Sequence, residues 1–243
     1  MSESVDNVSA VRTSIVLAGV VALIGGAVVL AQDLVVVAPA ATKVEFENAR
    51  VRVVRLKMPA HTSSPMHDRP ARVVIPLTAN DVRIIRANGN VGTTRTAAFV
   101  PAWSEPAKRS VTNLASPLEN VIVELKTATA PGKPAPGPPS PPTIDYLGDR
   151  FHTWLFENQY VRVFEVRISP GGITDFHRRA YDSVTVHITG ELVASQLQGE
   201  AWSAAKVEPG SVMFEADAGK TEVRRMRNDG TEEYRGILVQ LLR

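Results

Sequence analysis

Hydrophobic residues along this chain alternate with polar ones over short stretches, the period of half-buried β-strands. The pattern predicts strands at Arg50–Met58, Arg72–Leu77, Asp81–Ile85, Ala97–Val100 and Val121–Leu125. A second series follows at Tyr160–Ile168, Ser183–Thr189, Glu191–Gln196, Ser211–Phe214 and Ile237–Leu241. Gly, Asn and Asp punctuate the gaps, as in Asn88-Gly89-Asn90 and Asn228-Asp229-Gly230. No long amphipathic helix interrupts either series, so the class is all-β, a sandwich or barrel.

The two series are copies. The segment Phe46–Val53 matches Phe156–Val163 in six places of eight, an offset of 110. The same offset places His67 on His177 and Arg69 on Arg179 without a gap. A period this long is a whole small domain, which sets repeats at 43–126 and 150–243. Between them, the linker 127–149 carries seven prolines from Pro131 to Pro142. Proline fixes φ and removes a donor, so an extended spacer outside any sheet is expected.

Ahead of the repeats, residues 15–31 form an apolar run, with Val29-Leu30-Ala31 shaped like a small-residue cleavage site. Residues 1–31 are expected to be a signal peptide or a membrane anchor. Either places the folded part in the periplasm or outside the cell, with membrane contact only through that segment. The chain has no cysteine, which excludes disulfides, thiolate ligands and a cysteine nucleophile. A net charge of +2 is too small for a nucleic-acid footprint, and none is expected as a partner.

Each repeat places a turn, then a histidine, then a strand. The second reads Ser169-Pro170-Gly171-Gly172 and on to His177-Arg178-Arg179, and the first reads Pro59-Ala60-His61 and on to His67-Asp68-Arg69. These segments resemble the first motif of the cupin superfamily. Lys108–Asn113 and Arg224–Asn228 are similar to the second, in which a histidine stands four residues before an asparagine. The resemblance implies two tandem cupin-type jelly-roll β-barrels, a bicupin, behind an N-terminal hydrophobic helix or signal segment. Cupins can also dimerise, so a homodimer is compatible.

In metal-binding cupins three histidines and a carboxylate converge in the barrel. Carried onto this chain, the first histidine survives as His67 and His177. The other two positions are arginine in both repeats, Arg69 with Arg109 and Arg179 with Arg224. Near the carboxylate position stand Arg72-Val73 in one repeat and Asp182-Ser183 in the other. Guanidinium is a permanent cation with donors only and cannot ligate a metal. No cofactor is expected, with His177 and Asp182 the residual candidates for a divalent metal.

Three readings stay open. Histidine and two arginines can form a pocket for a small anionic molecule, since guanidinium pairs bidentately with carboxylate or phosphate. Ser183, Thr185 and His187 add polar groups to the second repeat, where Val73, Ile75 and Leu77 stand in the first. That favours the second repeat, with His177, Arg179, Asp182, Thr185, His187 and Arg224 as ligand-binding residues beside His67, Arg69 and Arg109. Alternatively the arginines pair with Asp68, Asp175, Asp182 or Glu222, and the protein is a structural module without enzymatic activity. The remaining alternative is a metal-dependent, dioxygenase- or isomerase-like enzyme with an atypical C-terminal site.

Overall fold

A computed structural model describes residues 33–137 and 149–242. The N-terminal apolar run, expected as a signal or anchor, lies outside them, as does the second part of the proline-rich linker. Among the described residues no helix is long and apolar enough to cross a membrane.

The first repeat comprises β1 (Thr42–Glu47), β2 (Val51–Met58), β3 (His67–Arg69), β4 (Arg72–Pro76), β5 (Asn80–Arg86), β6 (Val91–Thr96), β7 (Ala102–Ser104), β8 (Ala107–Asn113) and β9 (Leu118–Leu125). The second comprises β10 (His152–Glu157), β11 (Val161–Ile168), β12 (His177–Arg178), β13 (Ser183–Thr189), β14 (Leu192–Leu197), β15 (Ser203–Lys206), β16 (Val212–Glu215), β17 (Val223–Asn228) and β18 (Tyr234–Leu241). Each repeat forms a five-stranded and a four-stranded sheet. The orders are β1-β2-β9-β4-β7 with β3-β8-β5-β6, and β10-β11-β18-β13-β16 with β12-β17-β14-β15. The two orders are the same, position for position, and every pairing between named strands is antiparallel. Even the irregularity repeats, with a register shift between Val44 and Phe46 and another between Trp154 and Phe156. The repeats are thus two-sheet jelly rolls; the strands do not join into the closed barrels expected from the sequence.

The largest core lies between the repeats. Val53, Val73, Ile75 and Val123 of the first pack in one cluster with Val163, Val184, Val186, Ile237 and Val239 of the second. Successive strand residues face opposite ways, so each five-stranded sheet has an outer face on its partner and an inner face on its own smaller sheet. Ring pairs seal the flanks, Phe46 on Phe214 at 4.5 Å and Trp103 on Tyr160 at 6.0 Å between centroids. Arg50 adds an ion pair to Asp182 at 2.7 Å.

Two expectations fail. Ala97–Val100 is a turn instead of a strand, because Phe99 takes a positive φ of 64° and packs on the central core. The linker does meet a sheet: Pro134 bridges Asn158, and Ala135 donates to the Glu157 carbonyl at 2.9 Å. Non-proline residues inside the run supply the missing donors, including Gly132 to Glu105 and Lys133 to Gln159.

Candidate functional site

The residues of the two motifs stand side by side in each repeat. In the first repeat His67 lies directly across the β3–β8 ladder from Arg109, and in the second His177 lies across from Arg224. Arg69 is two residues beyond His67 and therefore shares its face. The asparagine of each motif is a buried clamp. Asn113 Nδ2 donates to the carbonyls of Met58, Pro59 and Ser116, and Asn228 Nδ2 to those of Ile168 and Glu232.

The two sites differ in their acids. In the second repeat, Glu215 accepts from Arg179 Nη1 through one oxygen and from Arg224 Nη1 at 2.8 Å through the other. Asp217, almost wholly buried, accepts from Arg224 Nη2 at 3.0 Å. Both arginines are neutralised from within. Their partners are Glu215 and Asp217, not Asp68, Asp175, Asp182 or Glu222. Asp182, grouped with His177 from sequence, instead pairs with Arg50 and caps Ala218 N at 2.9 Å.

In the first repeat the position of Glu215 belongs to a serine. Ser183 lies opposite Glu215 in the β13–β16 ladder, and its counterpart Arg72 lies opposite Ser104 in β4–β7. The next acid, Glu105, is turned to the linker, accepting from Trp103 Nε1 and Gly132 N. Among the described residues Arg69 and Arg109 have no carboxylate within ion-pair distance. The Nε of each is buried without a hydrogen-bond partner, and Arg109 Nη2 reaches only the Ser104 hydroxyl at 3.3 Å. Burial, with Arg72 and Arg109 close by, pulls Arg69 well below the ordinary guanidinium range. Burial likewise lowers Arg109, with Arg86 adding repulsion.

These groups border a cavity of about 250 Å³ between the two sheets of the first repeat. His67, Arg69, Ser104 and Arg109 line it with other polar residues such as Asn80 and Asn120, while Leu56, Val82, Ile122 and Leu34 contribute apolar wall. Leu34 arrives on α1 (Leu34–Val37), a single turn capped by Asp33, whose side chain also pairs with Arg52. Deeper in, Arg52 and Arg72 share Glu124, at 2.8 Å from Arg52 Nε and 3.1 Å from Arg72 Nη1. That carboxylate is committed to two cations already. Burial, opposed by Glu124, leaves Arg72 lowered to about 10.

His67 is almost wholly buried. Its Nδ1 lies 2.8 Å from the Pro65 carbonyl, which can only accept, so Nδ1 carries the proton. Nε2 is then a bare acceptor, buried and without a partner among the described residues. Burial, with Arg69, Arg72 and Arg109 around it, holds the ring below its usual 6.5. His177 is similarly fixed by the Asp175 carbonyl at 3.0 Å, and burial beside His152 and Arg179 lowers it to about 4. His152 is buried, edge-on to His177 at 5.4 Å and bonded to Asp149 at 2.8 Å. His187 meets the Tyr234 hydroxyl at 3.0 Å, and burial lowers it to about 4.

Ser183, Thr185 and His187 do face the interior of the second repeat, since Val184, Val186 and Ile188 face the shared core. Their counterparts are Arg72, Val74 and Pro76, however, not Val73, Ile75 and Leu77. Ladder pairs show it: Arg72 opposes Glu124 where Ser183 opposes Gln240. The offset has grown from 110 to 183 − 72 = 111, and one residue exchanges the two faces of a strand. In the second repeat the two arginines are taken up by Glu215 and Asp217, and the interior read as packed in the first contains the cavity.

The chain matches no family model and no curated protein. Solved structures do resemble it. Oxalate decarboxylase of Lactobacillus farciminis, in a formate complex, superposes at TM-score 0.56 and 14% identity over 82% of this chain and 80% of that one. AerE from Microcystis aeruginosa gives 0.55 at 9% identity, over 84% and 98%. A Bacillus subtilis oxalate decarboxylase variant gives 0.55 at 10%, over 83% and 75%. Mn(II) centres are described for the Bacillus enzyme. The residues described here do not fit such an ion: no group of three or more His, Asp or Glu is disposed to hold a metal. Two of the positions carry guanidinium, which repels cations.

Proposed function

Because this chain has a bicupin-like fold of the cupin superfamily but lines its first interior with arginine, we propose that it is a binding module for a small organic anion. The site is the first-repeat cavity, with Arg69 and Arg109 as the anion clamp and Ser104 beside them. One observation carries the reading: buried Arg69 and half-buried Arg109 face a cavity without, among the described residues, the carboxylate that neutralises their counterparts in the second repeat. A buried charge without a partner is costly, and an incoming carboxylate would offset that cost through paired N–H···O bonds. The apolar wall fits a short alkyl or aryl body, so monocarboxylates suit the space better than inorganic phosphate. The proposal includes export of the protein, supported by the apolar run at 15–31.

Thermal shift and calorimetric titration with hexanoate, benzoate and phosphate test this. At a ligand concentration 100-fold above Kd the fold should gain about 2.7 kcal/mol. Arg69→Gln and Arg109→Gln should each weaken binding by about tenfold or more. A protein that none of these anions stabilises, or whose response survives both substitutions, would refute the reading.

A further inference from the structure

The clamp explains a negative charge but leaves two buried acceptors of the cavity unused, Asn80 Oδ1 and His67 Nε2, of which His67 is the direct cross-strand partner of Arg109. His67 Nε2 is a buried acceptor with no partner among the described residues, on a side chain only 2% exposed. Its tautomer is set from behind by the Pro65 carbonyl. A carboxylate cannot satisfy it, since an ionised carboxylate also only accepts. His67 and Arg109 are direct cross-strand partners, with side chains projecting from positions about 5 Å apart, and Arg69 shares their face. Donors for an anion and an acceptor for a hydroxyl therefore stand side by side in one cavity.

Resting on the anion-binding reading above, we infer that the ligand is a hydroxy-carboxylic acid with an apolar body, whose carboxylate meets Arg69 and Arg109 and whose adjacent hydroxyl donates to His67 Nε2. A plain monocarboxylate would leave that nitrogen buried and unpaired. Burial first, then the three neighbouring arginines Arg69, Arg72 and Arg109, favours the neutral ring over the imidazolium, so it remains an acceptor at neutral pH. Of these, Arg72 is itself engaged with Glu124 deeper in the repeat.

Calorimetric titration with hexanoate and 2-hydroxyhexanoate, at pH 7.5 on the full chain, separates the two levels of the argument. The hydroxy acid should bind roughly tenfold more tightly, the size expected for satisfying one buried acceptor. In His67→Phe the hexanoate affinity should persist while the preference disappears. Should that variant fail to fold, nitrogen-15 NMR of the wild-type protein gives the same answer. The Nε2 resonance of His67 should move on adding 2-hydroxyhexanoate and stay in place with hexanoate. Equal affinity for the two acids, or a preference that survives loss of His67, would overturn this inference and leave the anion site standing. Failure of both acids to bind would overturn the anion site as well.

Discussion

At the scale of single residues, the contrast between Ser104 and Glu215 decides what each repeat interior can do. Both close the same rung of equivalent ladders, opposite Arg72 and Ser183. Glu215 bridges Arg179 and Arg224, whereas the Ser104 hydroxyl touches Arg109 alone. Removing one partner from such a network leaves a buried charge exposed to its full desolvation cost, on the order of 3–5 kcal/mol. The reverse change is therefore informative. Ser104→Glu should raise the melting temperature of the unliganded protein, because it supplies Arg69 and Arg109 with an internal counter-ion. The same variant should lose its response to hexanoate. Differential scanning calorimetry with and without the acid reads both effects. A Ser104→Glu protein that still binds hexanoate would show that the anion sits elsewhere.

Elements are shaped here by turns as much as by strands. The turn after β2 holds His61 at φ 60°, and the matching turn after β11 holds Gly171 at φ 72°. Glycine enters that left-handed region freely, whereas a side chain pays about 1–2 kcal/mol in steric strain, partly balanced by glycine's greater entropy loss. His61→Gly should thus stabilise the protein by about 0.5–1 kcal/mol, measured as a higher urea midpoint with unchanged slope. The linker is another element whose chemistry is local. Its prolines prevent a regular strand, yet Ala135 and Lys133 donate to Glu157 and Gln159 and tie it to the second repeat.

For the whole molecule, the back-to-back sheets make the described residues one compact unit although the chain is a tandem repeat. The core between the repeats is apolar, and each repeat contributes strands to it that also form the wall of its own interior. Loosening that shared layer should therefore weaken both halves at once. Ile237→Ala, at a fully buried site on β18, should cost about 2–5 kcal/mol. Unfolding followed by Trp103 fluorescence in the first repeat should shift together with that of Trp154 and Trp202 in the second, resolved with single-tryptophan variants. Separate midpoints would mean that the repeats fold independently.

Local pattern and internal duplication, both written along the chain, were enough for the all-β class, the two copies and the match of His67 and Arg69 with His177 and Arg179, while Arg109 and Arg224 were placed only by the resemblance to the second cupin motif. The class, the copies and that match depend on neighbours a few residues apart or on one copy checked against the other. Which acids meet which arginines was different, because Glu215 lies 36 residues from Arg179 and reaches it only across the sheets. A single inserted residue before β4's counterpart moved Ser183, Thr185 and His187 onto the face matched by Arg72, Val74 and Pro76, an effect that strand periodicity amplifies and residue identity conceals. The cavity in the first repeat and the ion-pair cluster in the second were therefore settled by folding alone. Pairing across sheets depends on distance in space, and two related repeats can be given different interiors by one serine and one glutamate.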